Sequence, residues 1–235
     1  MDLSRHSEIF KPEMLFGKTV HIIGCGATGS ALAFSLVKLG VPNICLYDAD
    51  TVEEHNIPNQ MFTVADIGKN KAQRLKEILD NNKVYLNTTI RAFPDFVTKD
   101  SGHNLQGYIF NLVDSMDARR EIYETYAKAN FGCYRYFETR MGLKVLRTYS
   151  VDTLSMKECE DYEKTLYAED DVKVLSACGT TQTAFPTANM TAQTAVWMLL
   201  ACLDAEEGNT EKRDLVNEVI ISVPDFNVMK NYWSE

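Results

Sequence analysis

Residues 20–50 read VHIIGCGATGSALAFSLVKLGVPNICLYDAD and decide the predicted fold. A short apolar run at 20–23 is typical of a buried parallel strand. A G-x-G-x-x-G turn at 24–29 follows it and opens an apolar-periodic helix, and a second strand at 44–47 ends in Asp48. The spacing therefore predicts one βαβ unit with an acid after its second strand, as in a nucleotide-binding fingerprint.

The glycine turn is the candidate phosphate site, because a helix N-terminus offers unpaired N–H groups and a partial positive charge. The acid after the second strand can accept hydrogen bonds from a ribose. We therefore expect the turn to contact a nucleotide; a structural βα turn that binds nothing is the alternative. The turn residues expected at the ligand are Gly24, Gly26, Ala27, Thr28 and Gly29.

Composition narrows the class of protein. The chain has 235 residues, 45% hydrophobic and 24% charged, so we expect one domain over 1–235, with an N-terminal arm at 1–17 and a crossover segment at 152–183. The net charge of −9 makes nucleic acid an unexpected ligand. The absence of an 18-residue apolar run, of a signal-peptide core and of C-x-x-C pairs predicts a cytoplasmic, reduced protein with no membrane segment.

Strands alternate with helices along the rest of the chain, which favours an α/β fold with a doubly wound, mostly parallel Rossmann-like sheet, helices on both faces and a C-terminal helix–strand extension. The acidic stretch 152–175 is interpreted as a mobile crossing segment. Helices are predicted at about 69–81, 116–129 and 184–205. Further strands are predicted at 86–93, 107–113, 133–137, 143–151 and 219–223.

Charged residues follow the predicted strands at the edge where open α/β sheets bind ligands. Asp48 and Asp50 follow the second strand, Asp114 follows the fourth, and Lys71 begins the second helix. A lysine near a triphosphate can offset charge on a leaving group, and an aspartate can hold Mg²⁺. These parts favour nucleotidyl transfer over hydride transfer, so an NAD-dependent oxidoreductase is the less favoured alternative.

Four segments in order, GCGATGS, DADTVEEHNIPNQ, DIGKNK and DSMDARR, resemble the motifs of the ThiF/MoeB/HesA family, the bacterial relatives of ubiquitin-activating enzymes. The resemblance covers residues 18–125 most clearly. It implies ATP-dependent adenylation of the C-terminal carboxylate of a ubiquitin-like or sulfur-carrier protein, in a homodimer and with a conjugating-enzyme-like partner. Alternative acceptors are a peptide C-terminus or a modified tRNA base, and the acidic charge disfavours the second.

The resemblance also assigns roles to individual positions. It places the three turn glycines on the phosphates, and it gives Asp114 the Mg²⁺ ion and Lys71 the triphosphate. The polar residues that it brings to the ribose, the metal and the phosphates are Asp48, Asp50, Asn56, Asn59 and Gln60.

This sequence departs from the family pattern at two arginines. Asn59 replaces the arginine before Gln60, and Glu8 replaces the second arginine of the N-terminal segment, in which Arg5 is retained to reach a partner subunit's site. Either Arg5, Arg140 or Arg147 supplies the missing charge, or adenylation is weak or lost and the chain is an inactive scaffold that binds a nucleotide or a protein. The family's zinc-binding C-x-x-C pairs are also absent, so no zinc is expected.

Cys178 lies in the segment SACGTT before the last long helix, where ThiF-like members carry a cysteine that accepts the activated carrier. A helix N-terminus would lower the pKa of its thiol; a packing thiol is the alternative. Arg140 is expected either to face the substrate tail or to form a surface ion pair. His21 is interpreted as a core histidine, and Arg119 and Arg120 as solvated charges.

Overall fold

The computed structural model describes residues 2–128, 130–167 and 182–233. An eight-stranded sheet runs through them in the order β3-β2-β1-β4-β5-β6-β7-β8. The strands are β1 (Val20–Ile23), β2 (Asn43–Tyr47), β3 (Thr89–Phe93), β4 (Gly107–Asn111), β5 (Cys133–Met141), β6 (Val145–Val151), β7 (Glu218–Ser222) and β8 (Asn227–Asn231).

The α-helices pack on both faces of this sheet. They are α1 (Ala27–Leu39), α2 (Lys71–Asp80), α3 (Met116–Ile122), α4 (Met156–Glu163) and α5 (Phe185–Glu206). α1 ends at Gly40, whose φ of 93° is left-handed, as expected where a glycine terminates a helix. None of the described helices is both long and apolar enough to cross a membrane.

The strand directions divide the sheet in two. β1 to β5 are mutually parallel. The pairs β5–β6, β6–β7 and β7–β8 are antiparallel. The chain builds outward from β1 to β3 on one side and then continues at β4 on the other side of β1. The prediction of a doubly wound α/β sheet is confirmed, and the gap between the carboxyl ends of β1 and β4 is its topological switch point.

Two apolar layers cover the sheet. α1, α2 and α5 share one core with strand residues such as Ile22 and Phe110. On the opposite face, α3 and α4 share a second core with strand residues such as Tyr136, and α4 contributes Tyr162 to it. The prediction for His21 is confirmed: it is 3% exposed, and its ring nitrogens lie 2.9 Å from the Tyr47 hydroxyl and 3.0 Å from a backbone oxygen.

Several predicted boundaries are wrong. The helix expected over 116–129 leaves α-geometry after Ile122 and continues as a π-helical turn, Tyr123–Ala127. The stretch interpreted as a crossing segment contains α4, which the Ser155 side chain caps and which buries Tyr162. β8 was not predicted, because all of its residues are exposed and its sequence, NVMKN, has no clear apolar alternation.

Candidate functional site

The glycine turn lies at the switch point and touches the end of β4. Gly24 has a φ of 94°, and a Cβ on it would lie 2.9 Å from the backbone oxygen of Leu112. A Cβ on Gly29 would lie 1.9 Å from the backbone oxygen of Gly24, so no side chain fits there. The two glycines therefore let the turn pack directly on the backbone that leads to Asp114.

The N-terminus of α1 opens above this turn. Its N-cap residue is Gly26, which has no side chain with which to cap the helix. The nearest atom to a Cβ built on Gly26 would be the side-chain nitrogen of Gln60, at 3.9 Å. The first turn of α1, with Ala27 and Thr28, thus begins at a residue without a side chain, and its free backbone N–H groups suit an anion.

Asp48 ties the glycine turn to the end of β2. One of its carboxylate oxygens accepts the backbone N–H of Cys25 at 2.7 Å, and the other accepts that of Asp50 at 2.9 Å. Burial raises the pKa of Asp48, and these two bonds and the nearby Lys71 oppose that rise. Asp48 therefore holds the turn itself, and its expected contact with a ribose stays a prediction.

Lys71 reaches the same edge from the start of α2. Its ammonium group lies 3.0 Å from a carboxylate oxygen of Asp50, and its backbone N–H bonds to the Asp50 carbonyl at 2.9 Å. Asn70 caps α2 and donates to the Asp48 carbonyl at 2.8 Å. These bonds fix the lysine beside the residues that follow β2.

The loop that carries the family's glutamine position also closes on the glycine turn. The Asn56 side chain accepts the Glu53 N–H at 2.9 Å, and its backbone oxygen accepts the N–H of Gln60 at 3.0 Å. The Asn59 amide donates to the hydroxyl of Thr183, just before α5. The side-chain oxygens of Asn59 and Gln60 are buried with no hydrogen-bond partner among the described residues, so each is an acceptor that these residues leave unsatisfied.

Asp114 is exposed. It follows two residues after Leu112, whose backbone oxygen lies against Gly24. The next residue, Ser115, caps α3 by accepting the Ala118 N–H at 3.3 Å. Within the described ranges, no group of three or more His, Cys, Asp or Glu side chains could by itself hold a metal ion. Mg²⁺ is usually held by one or two carboxylates together with substrate phosphates, so a single carboxylate such as Asp114, near the candidate phosphate turn, fits this ion.

Of the three arginines expected to replace the missing charge, Arg140 and Arg147 pair with carboxylates of the sheet. Arg5 lies in a short 3-10 turn, Ser4–His6, whose histidine contacts the Leu39 carbonyl at the far end of α1. Arg147 pairs with a carboxylate of β7 at 3.6 Å. Arg140 forms an ion pair with Glu138 at 2.8 Å and is largely covered, with 11% of its side chain exposed, so the expected ion pair is not at the surface; its contact with a substrate tail stays a prediction.

The expectation that Arg119 is solvated is wrong. It is 7% exposed, and its guanidinium donates to Glu138 and to the Thr139 carbonyl. Glu138 is fully buried and also accepts two bonds from Arg140, each at 2.8 Å, and one from the Tyr162 hydroxyl at 2.6 Å. Although burial opposes ionisation, the two guanidinium groups hold the pKa of Glu138 below its ordinary value.

The structure thus gathers nearly all the sequence-predicted residues on one edge of the sheet. Arg5 lies elsewhere in the same chain, and Cys178 lies outside the described residues. The buried carboxylate–arginine cluster was missed by the sequence analysis. The residues at this edge are Gly24, Gly26, Ala27, Thr28, Gly29, Asp48, Asp50, Asn56, Asn59, Gln60, Lys71 and Asp114.

The sequence profile of the ThiF family matches residues 12–220. The chain belongs to the ThiF family. One relative, ubiquitin-like modifier-activating enzyme 5 of Drosophila pseudoobscura pseudoobscura, is 30% identical in an alignment of 152 positions that covers 59% of this chain and 38% of the relative. A bacterial relative, the ATP-dependent ubiquitin transferase-like protein Cap2 of Enterobacter hormaechei subsp. hoffmannii (strain UCI 50), is 36% identical over 76 residues, or 32% of this chain and 12% of Cap2. The chain therefore spans well under half the length of these two relatives.

Solved structures share the fold across nearly the whole chain. PaaA aligns with a TM-score of 0.73 at 19% identity, covering 99% of this chain and 68% of PaaA. Escherichia coli MccB with AMPCPP and MccA aligns with a TM-score of 0.71 at 17% identity, covering 95% of this chain and 66% of MccB. At these identities the likeness establishes the ThiF-type fold alone.

Proposed function

We propose that this ThiF-family chain uses ATP to adenylate the C-terminal carboxylate of a ubiquitin-like or sulfur-carrier protein. The observation that carries the proposal is the meeting of three features at one switch point. The open N-terminus of α1 lies above the glycine turn, Lys71 lies beside the residues that follow β2, and the turn packs on the backbone that leads to Asp114. Family membership and the activating-enzyme relatives support the same reaction.

In the proposed reaction a carboxylate oxygen of the carrier attacks the α-phosphorus of ATP. The bond between the α-phosphorus and the bridging oxygen breaks, and pyrophosphate leaves with that electron pair. The N–H groups at the start of α1 hold phosphate oxygens, and Lys71 offsets the charge that develops on the leaving group. Asp114 would hold Mg²⁺, which neutralises phosphate charge when bound.

The partners follow from the same proposal. A carrier tail must reach the carboxyl edge of the sheet, and a homodimer would allow Arg5 to serve a second site. Cys178 is the proposed acyl acceptor after adenylation, with a conjugating-enzyme-like protein as a later partner in a cytoplasmic pathway. MccB, which shares the fold, has been solved with ATP and with the MccA peptide, so a short peptide belongs among the substrates tested.

Pyrophosphate exchange tests the proposal directly. The protein is incubated with ATP, MgCl₂, labelled pyrophosphate and a panel of carriers and peptides with free C-termini. Label should enter ATP only with the cognate substrate, and the same substrate with a C-terminal amide is the matched control, because it lacks the attacking carboxylate. A flat assay across the panel, together with calorimetric binding of NAD rather than ATP, would overturn it.

An inactive scaffold is the second candidate function. Its support is Asn59, whose amide bonds to Thr183 and brings no positive charge to the turn. A scaffold would bind ATP with no exchange for any substrate in the panel. Calorimetry with ATP, run beside the exchange assay, therefore separates it from the adenylating enzyme.

A further inference from the structure

The loop that carries Asp114 is closed at both ends by bonds between buried groups. At its start, the Leu112 N–H donates to the Ile23 carbonyl of β1 at 2.8 Å. At its end, the side chain of Asn111 donates to the backbone oxygen of Arg119 at 3.3 Å. Asn111 is fully buried, so this bond ties the last residue of β4 to the body of α3. The loop at 112–115 therefore lies between a strand and a helix that these bonds join to each other.

The side chain of Arg119 extends the closure to β5. It donates to Glu138 and, at 2.6 Å, to the backbone oxygen of Thr139. Glu138 lies opposite Asn111 in the register of β4 with β5. One arginine thus joins α3 to the carboxyl ends of two neighbouring strands, at the level of the sheet where the Asp114 loop begins.

Stability alone is a weak reason for this cluster. Replacing a buried ion pair by apolar residues of similar volume is often neutral or stabilising, because burying two charges offsets their attraction. A planar guanidinium that bonds a carboxylate and a carbonyl at once fixes orientation more sharply than an apolar contact does. The arrangement is therefore better explained by a requirement for geometry than by a requirement for stability.

The geometry that it fixes is that of Asp114. On one side, the glycine turn packs against the backbone of Leu112, so closely that a Cβ on Gly24 would lie 2.9 Å from the Leu112 backbone oxygen. On the other side, Arg119 fixes the helix that begins one residue after Ser115. We propose that Arg119, held by Glu138, is a positioning residue that aims the Asp114 carboxylate at a divalent cation bound with the nucleotide. This inference rests on the proposed function.

The test measures metal binding rather than turnover. Mn²⁺ serves as the probe with α,β-methylene-ATP, which cannot be cleaved between the α- and β-phosphates, and free Mn²⁺ is counted by electron paramagnetic resonance. Groups that orient metal ligands typically change metal affinity by about 10- to 100-fold, so Arg119→Lys should weaken Mn²⁺ binding about tenfold or more. The affinity for the analogue in EDTA, measured by calorimetry, should change less than about twofold, because Arg119 holds no phosphate.

The chain offers a matched control in a second buried ion pair on the same strand. Arg135 pairs with Glu158 at 3.3 Å, and their side chains are 7% and 6% exposed. Arg135 lies near the start of β5, beside Tyr108 in the register, whereas Glu138 lies beside the last residue of β4. Arg135→Lys should lower the melting temperature as Arg119→Lys does and leave the affinity for Mn²⁺ unchanged.

Three results would overturn the inference, and they are distinguishable. If wild-type protein takes up no Mn²⁺ with the analogue, the proposed function fails and the inference fails with it. If wild type binds Mn²⁺ and Arg119→Lys binds it equally well, the role of Arg119 is structural and the proposed function stands. If Arg119→Lys does not fold, Asn111→Ala replaces it, since it removes the tie to the Arg119 carbonyl without unpairing a charge; unchanged Mn²⁺ affinity in that variant overturns the inference.

Discussion

The ammonium group of Lys71 lies 3.0 Å from Oδ2 of Asp50, and the lysine is the less exposed partner, at 10% against 56%. A lysine that is nearly covered by protein and aimed at the ligand edge is held in place before a ligand arrives. Its carboxylate partner faces water, so removing the lysine leaves that partner hydrated.

Lys71→Met should lower kcat/KM for pyrophosphate exchange by about 100-fold or more, because the leaving group loses its positioned charge. The melting temperature should hardly change, since Asp50 stays hydrated. Lys76→Met is the control, because Lys76 lies on the same helix and pairs with Asp80 at 2.5 Å. Equal losses in both variants would show that the charge of α2 in general, and not Lys71, matters.

Asn59→Arg should raise ATP affinity roughly tenfold, or about 1.4 kcal/mol, because it places a cation beside the phosphate turn. It also removes the amide bond to Thr183, so Thr183→Val is the matched variant that loses this bond with no change of charge. Calorimetry with ATP measures both. Weaker binding in Asn59→Arg than in Thr183→Val would mean that no phosphate lies near residue 59.

Gly29→Ala should abolish nucleotide binding and strongly lower the free energy of unfolding, because the new Cβ would lie 1.9 Å from the backbone oxygen of Gly24. Relief requires movement of the turn itself. Gly142→Ala is the control, since the nearest atom there is 3.8 Å away. Urea titration and ATP calorimetry would check both; a stable Gly29→Ala that binds ATP normally contradicts the described packing of the turn.

Glu138→Gln should lower the free energy of unfolding at pH 7 by about 3–5 kcal/mol, because it leaves two buried guanidinium groups without their counter-charge. The pKa of Glu138 is lowered in the folded state, so its contribution is complete above the ordinary carboxyl pKa and is lost as pH falls through the folded value. Urea titrations between pH 7 and pH 3 should therefore show the difference from wild type shrinking toward acid.

Glu158→Gln should change the pH dependence of stability in the opposite direction, because the pKa of Glu158 is raised and that of Glu138 is lowered. Burial raises the pKa of Glu158, so the folded state loses stability as pH rises from the ordinary value through the raised one. Because Gln resembles the protonated carboxyl, wild type and Glu158→Gln should differ least at acid pH, and wild type should become the less stable of the two as pH rises through that interval. Identical pH profiles for the two variants would contradict the assignment of opposite pKa shifts.

Local pattern was sufficient for the first βαβ unit. The strand, the turn and the helix between residues 20 and 40 are each specified by neighbours in sequence, so periodicity and glycine spacing located them. The placement of Asp48 and Asp114 at one edge was predictable for a related reason: each follows a parallel strand, and the carboxyl ends of parallel strands share one edge.

The buried cluster was not predictable in the same way. Arg119 and Arg120 are adjacent in sequence with the same charge, and only the approach of β5 determines that the first is covered. The sequence held one signal that Glu138 is buried. It lies two residues after Tyr136 on a strand, and residues two apart on a strand point to the same face. α4 was missed because its acidic residues dominate its sequence, although Cys159 and Tyr162 face the core.

The strand order also determines how the sheet should come apart. β1 and β4 each have neighbours on both sides, whereas β8 lies at the edge of the sheet formed by the described residues, next to β7, and is exposed throughout. Amide hydrogens should therefore exchange with deuterium first in β8 and last in β1 and β4, as partial openings peel the sheet from its antiparallel side. β1 and β4, the interior strands that bear the glycine turn and the Asp114 loop, would then keep their shape longer than the edge at β8.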